Sequence, residues 1–157
     1  MAQVPQDPPQ FVNVLLISSA PEDHVSLIRI FANSDWRLRQ VTTCHEALTF
    51  VSENDTSVVI CERDLPDGDW KFLLSGFDGV NARPTVIVTS RLVDEELWAE
   101  VLNLGGYDVL AQPFDPEEVH RAVFLAWQHR RSHPPASAKR AAARDSIPGQ
   151  WEQHSSL

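Results

Sequence analysis

Apolar residues in this chain fall into two kinds of pattern. Residues 11–17, 57–61 and 85–89 are short continuous runs, rich in β-branched side chains and nearly free of charge. A strand solvated on one face would alternate, so these runs predict central strands covered on both faces. The stretches between them carry helical spacing instead. Residues 22–32 place Val25, Ile28 and Ala32 on one stripe with Leu27 and Phe31 alongside, and residues 45–53 carry Ala47, Leu48, Phe50 and Val51. Residues 94–104 repeat Leu97, Val101 and Leu104, and residues 116–129 repeat Val119, Ala122, Val123, Ala126 and Trp127. Pro116 suits a first helical turn, with Asp115 placed to cap it. Residues 36–41 alternate as an edge strand does, and residues 108–111 form a short apolar segment between Gly105-Gly106 and Pro113. Strand and helix thus alternate five times over residues 11–130. That order predicts an α/β fold with a parallel five-stranded sheet, right-handed crossovers and helices on both faces.

Charge divides the chain unevenly. Residues 1–129 carry a net −12 and residues 130–157 a net +3, which together give the −9 of the whole. An acidic body excludes nucleic acid as the main ligand, since phosphate binding needs clustered Lys and Arg. After Arg131 the helical pattern stops at His133-Pro134-Pro135, and the residues beyond are small, polar or basic. Residues 131–157 therefore read as a disordered basic tail, with Trp151 its one apolar anchor, and residues 1–10 as a flexible, Pro-rich segment. No N-terminal run is apolar enough for a signal peptide, and none approaches the ~18 residues of a membrane span. A cytoplasmic location with no membrane contact is the expectation. Cys44 and Cys61, the two cysteines, are expected as buried thiols rather than a disulfide.

In an open parallel sheet, ligands sit beyond the carboxyl ends of the strands. Those ends carry Ser18-Ser19, Glu62 with Asp64, Thr89-Ser90 and Gln112-Pro113. Four segments in order, Val14-Leu15-Leu16-Ile17-Ser18-Ser19, Asp64-Leu65-Pro66-Asp67-Gly68, Pro84-Thr85-Val86-Ile87-Val88-Thr89 and Gln112-Pro113-Phe114, make residues 11–130 similar to the response-regulator receiver family. The resemblance implies the flavodoxin-like sheet order 2-1-3-4-5 and a signalling module of the two-component type.

The resemblance also implies a site, position by position. The family's adjacent acidic pair, which holds Mg²⁺ after the first strand, is replaced by Ser18 and Ser19. Its phosphoacceptor Asp, four residues before the loop proline, is replaced by Glu62. Its phosphoryl-contacting Lys is replaced by Gln112 and its aromatic switch residue by Val109, while its hydroxyl residue is kept as Thr89. Mg²⁺ requires hard oxygen ligands, usually one or two carboxylates. Here Glu62, with help from Asp64, is the one anionic candidate, so weak Mg²⁺ binding at best is expected and no other cofactor. Phosphoryl transfer depends on electrostatic stabilisation, and Glu62 is longer than Asp by about 1.5 Å. With Lys gone, the crevice is expected to lack the positive charge that such transfer needs. Two readings of Glu62 stay open: a stand-in for a phosphorylated Asp, holding charge near Thr89, or a carboxylate solvated at a strand end.

No other motif supports an enzyme. Ser18-Ser19 lies in no G-x-S-x-G turn and is expected to cap the first helix. His129 and His133 have the spacing of a metal pair, but no acidic residue completes a site. Gly105-Gly106 is not a dinucleotide fingerprint. In receivers the face of the fourth helix, fifth strand and fifth helix serves as a dimer or partner surface, and Trp98, Leu102 and Phe124 fall there. They form either an interaction patch or a packed helix–sheet boundary. The expected partners are proteins: a histidine kinase, an output protein or a second copy. Two alternatives remain, a working phosphoacceptor of a phosphorelay and a small-ligand module using the strand-end crevice.

Overall fold

A computed structural model of the chain describes residues 11–80 and 82–132. The expectations for residues 1–10, for His133 and for the tail with Trp151 fall outside the described residues. In chain order the elements are β1 (Asn13–Ile17), α1 (Pro21–Phe31), β2 (Arg37–Val41), α2 (Cys44–Glu53), β3 (Val58–Glu62), β4 (Asp64–Leu65), β5 (Gly68–Asp69), α3 (Trp70–Phe77), β6 (Thr85–Ser90), α4 (Glu95–Asn103), β7 (Asp108–Ala111) and α5 (Pro116–Ser132).

Five strands pair in parallel in the order β2-β1-β3-β6-β7. With the two-residue antiparallel hairpin β4–β5 set aside, this is the expected 2-1-3-4-5. Alternate residues of each strand feed two cores. Leu15, Ile17, Val59, Cys61, Val86, Val88 and Val109 meet α2, α3 and α4, whereas Val14, Leu16, Val58, Ile60, Ile87 and Leu110 meet α1 and α5. Two-sided burial explains the continuous apolar runs of the central strands. The edge strand β2 has no fully buried residue.

Local chemistry sets the helix starts. Thr43, Asp69, Asp94 and Asp115 accept hydrogen bonds from the amides of Glu46, Phe72, Leu97 and Glu118, satisfying first-turn donors. Helix α1 differs. Its N-cap is Ala20, with no side-chain bond, followed by Pro21.

Three expectations need correction. The inward face of α1 is Asp23, Leu27 and Phe31, while Val25 and Ile28 are each 49% exposed and Ala32 is exposed. An apolar stripe leaves out a buried carboxylate, and Asp23 is what rotates the helix to this face. Leu104 ends α4 exposed rather than continuing the Leu97–Val101 stripe. The third helix, α3, escaped the pattern because it has only eight residues and contains Gly76. Its Trp70, Leu73, Leu74 and Phe77 are all buried. Element bounds also move slightly, with β1 starting at Asn13 rather than Phe11 and α5 running through Ser132 rather than stopping at His129, so that Arg131 and Ser132, expected in the tail, are helical.

Gly106 marks the tightest turn into the sheet edge. Its amide bonds the Val101 carbonyl at 2.8 Å, and an added Cβ would overlap Val101 Cγ1 and lie 3.0 Å from the Val101 carbonyl oxygen. Gly106→Ala is expected to cost about 1–3 kcal/mol in urea unfolding. Gly79→Ala, whose Cβ meets nothing closer than 3.9 Å, should stay within about 0.5 kcal/mol. Equal midpoints for the two variants would contradict the packing described.

Candidate functional site

Parallel register brings the carboxyl ends of four strands together. Ile17 of β1 pairs with Cys61 of β3, and Glu62 with Thr89 of β6. Thr89 in turn pairs with Leu110 of β7, and Ser90 with Ala111. Ser18, Glu62, Thr89 and Gln112 therefore surround one mouth of the sheet. Ser18, Thr89 and Gln112 are buried and Glu62 is half-buried. The peptide bond between Gln112 and Pro113 is cis.

The Glu62 side chain turns toward β1. Its Oε2 accepts a hydrogen bond from the Ser19 amide at 2.9 Å and from the Ser19 hydroxyl at 3.2 Å, and it lies 3.2 Å from the Ser18 hydroxyl. A serine hydroxyl carries one proton, and Ser18 has a shorter claim on it from Asp23 Oδ2 at 2.7 Å. Ser18 Oγ also accepts from the Ala20 amide at 3.0 Å. Asp23 is 4% exposed, and the same Oδ2 accepts from Gln112 Nε2 at 2.5 Å. The His24 ring spans the outside of the turn, with Nε2 2.7 Å from the Ser18 carbonyl oxygen and Nδ1 2.8 Å from Gln40 Oε1. A carbonyl only accepts, so Nε2 carries a proton.

These contacts change the reading of four positions. Ser18 and Ser19 do not cap α1, whose N-cap is Ala20 with no side-chain bond; the Ser18 hydroxyl donates to Asp23 and the Ser19 hydroxyl to Glu62. Glu62 lies beside Thr89 in register and is hydrogen-bonded by Ser19 rather than simply solvated. The Thr89 hydroxyl, 1% exposed, has no hydrogen-bond partner among the described residues. Gln112 reaches Asp23, a residue 89 positions away in the chain. Asp23 and His24 were missed by reasoning from the family's positions, although Asp23 stands four residues before Leu27 and eight before Phe31 on the buried face.

Thr89 opens on a crevice of about 270 Å³ lined also by Glu62, Arg63, Asp64, Arg91 and Gln112. The expectation of a crevice without positive charge is corrected here, since two guanidinium groups line it. Both are paired, Arg63 with Asp64 at 3.2 Å and Arg91 with Glu22 at 3.1 Å. Asp64 is 77% exposed in that pair.

Magnesium, which the resemblance implies, is not matched by this donor set. The oxygens nearest the end of β1 are the serine hydroxyls, and they donate to carboxylates. The Asp23 carboxylate is enclosed by Ser18 and Gln112, and Asp64 faces Arg63. Among the described residues no cluster of three or more His, Cys, Asp or Glu could hold a metal ion.

The remaining expected residues lie apart. Val109 is buried in the core facing α4. Trp98, Leu102 and Phe124 are 49%, 38% and 43% exposed, and the Phe124 ring lies 6.0 Å from that of Trp127. Cys44 and Cys61 are free and buried. Burial, then the neighbouring Asp67 and Asp69 charges, pushes the Cys44 thiol up to about 12, and burial also raises Cys61, so neither is a ready nucleophile. The His129 ring packs on Tyr107 with centroids 5.0 Å apart. No helix among the described residues is long and apolar enough to cross a membrane.

No family model and no curated protein matches the sequence. Solved structures match its fold. The signal receiver domain of an HD domain-containing protein from Pseudomonas fluorescens Pf-5 aligns with a TM-score of 0.72 at 23% identity, covering 81% of this chain and 94% of that one. The signal receiver domain of a putative LuxO repressor protein from Vibrio parahaemolyticus gives 0.70 at 18% identity, over 90% and 100%. The receiver domain of the Francisella response regulator 1452 gives 0.67 at 23%, over 74% and 97%. The chain has the fold of response-regulator receiver domains.

Asp67, in the turn of the β4–β5 hairpin, ties the crevice loop to α2. Its two carboxylate oxygens accept from the Cys44 amide at 2.7 Å and the His45 amide at 3.0 Å. These bonds hold its carboxyl below the ordinary 3.8. A depressed carboxyl stabilises the fold above its unfolded value, and the contribution disappears as pH falls through the folded value. Asp67→Ala should therefore lower Tm at neutral pH, with the gap to wild type closing as pH drops below 3.8. A gap that stays constant into that acid range would contradict the tie.

Proposed function

We propose that this chain is a receiver-type signalling module, not an enzyme, that works through protein contacts without accepting a phosphoryl group. The observation that carries the proposal is the Glu62 carboxylate bonded to the Ser19 amide and hydroxyl. A carboxylate already engaged by fixed donors is poorly placed to attack phosphorus. The two guanidinium groups of the crevice are already paired with Asp64 and Glu22, which weakens the charge compensation that the reaction needs. The surrounding substitutions support one another. Ser18, Ser19 and Gln112 supply neutral donors to Glu62 and Asp23 where the receiver resemblance implies metal and lysine. The module therefore needs no Mg²⁺ to hold its crevice together.

Signal then passes through the surface. Trp98 and Leu102 lie exposed one turn apart on α4, and Phe124 is exposed on α5 beside Trp127. Large exposed apolar side chains of this kind favour protein partners. The partner is a histidine kinase, an output protein or a second copy of the chain. A second reading has its own support: Thr89 lines the crevice and its buried hydroxyl has no partner among the described residues, which suits a small ligand able to hydrogen-bond it.

Incubating the chain with acetyl phosphate and Mg²⁺, followed by intact-mass measurement, is expected to leave the mass unchanged. A phosphoryl adduct mapped to Glu62 or its neighbours would instead support the phosphorelay alternative and sink this proposal. Trp98→Ala is expected to abolish self-association or partner capture with Tm unchanged. Loss of fold, or full retention of contacts, would count against the surface assignment. A ligand that raises Tm in wild type but not in Thr89→Val would favour the small-ligand reading.

A further inference from the structure

We infer that the open edge of β2 is a docking strand for an extended acidic segment of a partner protein, one that alternates carboxylate and apolar residues. Strand β2 lies at the opposite edge of the sheet from β7 and pairs with β1 alone among the described residues. The Arg37 amide bonds the Val12 carbonyl, and the Ser18 amide bonds the Val41 carbonyl. Backbone groups alternate in direction along a strand, so Arg37, Arg39 and Val41 turn theirs to β1. The amides and carbonyls of Leu38 and Gln40 therefore point out of the sheet. Donors and acceptors left open in this way are a template for one more strand.

The side chains decide which strand fits. Register sets Arg37 and Arg39 beside Asn13 and Leu15, on the face that α2 covers, and Leu38 beside Val14 on the other. Both arginines are exposed. Neither forms an ion pair among the described residues, whereas Arg63, Lys71, Arg83, Arg91 and Arg130 all do. The Arg37 guanidinium is held 3.7 Å above the Phe11 ring, a stack that leaves its edge donors free. A groove of about 550 Å³ runs beside the two arginines, with Phe50, Asn54 and Thr56 on its lining. Its one acid, Asp55, lies 3.4 Å from the Arg130 guanidinium. Unpaired cations at alternate positions of one strand face match carboxylates at alternate positions of an added strand. The residue between those carboxylates turns to the face of Trp36 and Leu38, which pack half-buried on the α1 side, and is therefore apolar. Residues 1–129 carry a net −12, so the rest of the body repels such a segment and the arginines fix where it lands. A second copy does not suit this edge, since antiparallel pairing of β2 with itself would bring arginine rows together. The contact is independent of the α4 surface and of whether Glu62 accepts a phosphoryl group.

Titrating the full chain with a synthetic peptide in which Glu alternates with Val, followed in ¹H–¹⁵N spectra, tests the docking. The expected result is a saturable shift of the Leu38 and Gln40 amide signals, with slowed hydrogen exchange at both. The affinity should fall when salt is raised to about 0.5 M. A peptide of the same composition with its glutamates contiguous should leave both signals in place. Arg39→Glu should weaken binding about tenfold with Tm unchanged, and Arg39→Gln should weaken it less. Trp98→Ala should bind the peptide as wild type does, which separates this edge from the α4 surface. The inference is overturned if the alternating peptide leaves Leu38 and Gln40 unmoved. Equal shifts with the contiguous peptide or with a thymidine oligonucleotide would reduce the arginines to a general anion patch, and would overturn it too. Leu38 and Gln40 signals that move with protein concentration alone would assign the edge to a second copy, with the same consequence.

Discussion

A carboxylate drawn into the mouth of a parallel sheet must be met by a cation or by hydrogen-bond donors, or its desolvation goes uncompensated. Here the donors are all neutral. The Ser19 amide and hydroxyl take Glu62, while the Ser18 hydroxyl and the Gln112 amide take Asp23. Ser18 stands between the two carboxylates, and one network spans β1, β3, α1 and the end of β7. The orientation of α1 results from it, since a helix that buries Asp23 must turn Val25 and Ile28 to solvent. The freedom of Thr89 has the same origin, because the acid beside it in register looks the other way.

Around this network the loops are held by charge and backbone bonds. Asp67 clamps the crevice hairpin to the first turn of α2, and the Arg63 amide bonds the Thr89 carbonyl at 2.9 Å. Arg91 reaches across to Glu22 on α1. The mouth is braced on three sides by contacts that need no ligand. On the function proposed above, a mouth so braced leaves the outer surfaces as the place where a partner would be met.

Much of the architecture was legible in the residue pattern because burial writes itself in apolar spacing. The central strands are covered on both faces and show continuous runs, and the edge strand alternates. Helix α5 repeats its stripe from Val119 to Trp127, about two turns, long enough to be unambiguous. What was not legible has specific causes. Helix α3 is eight residues long and carries a glycine where Leu48 packs against it. The face of α1 depends on a buried acid that apolar spacing leaves out. For the site, strand-end punctuation located the positions but not their partners. Nothing local to Glu62 says that it turns toward Ser19 rather than Thr89, and nothing local to Gln112 points to Asp23. Those contacts exist only once the sheet is assembled. The arginines of the crevice were hidden similarly, since Arg63 and Arg91 lie outside the positions that the family resemblance draws attention to.

The central claim is that neutral donors, not a metal ion, compensate the acids at the sheet mouth. A Mg²⁺ titration followed through the Ser19 and Glu62 backbone amide signals in ¹H–¹⁵N spectra tests it most directly. The account predicts that both signals stay in place, apart from the uniform drift that ionic strength produces. A saturable shift confined to Ser18, Ser19, Asp23 and Glu62 would show a cation displacing the serine hydrogen bonds, and would contradict it.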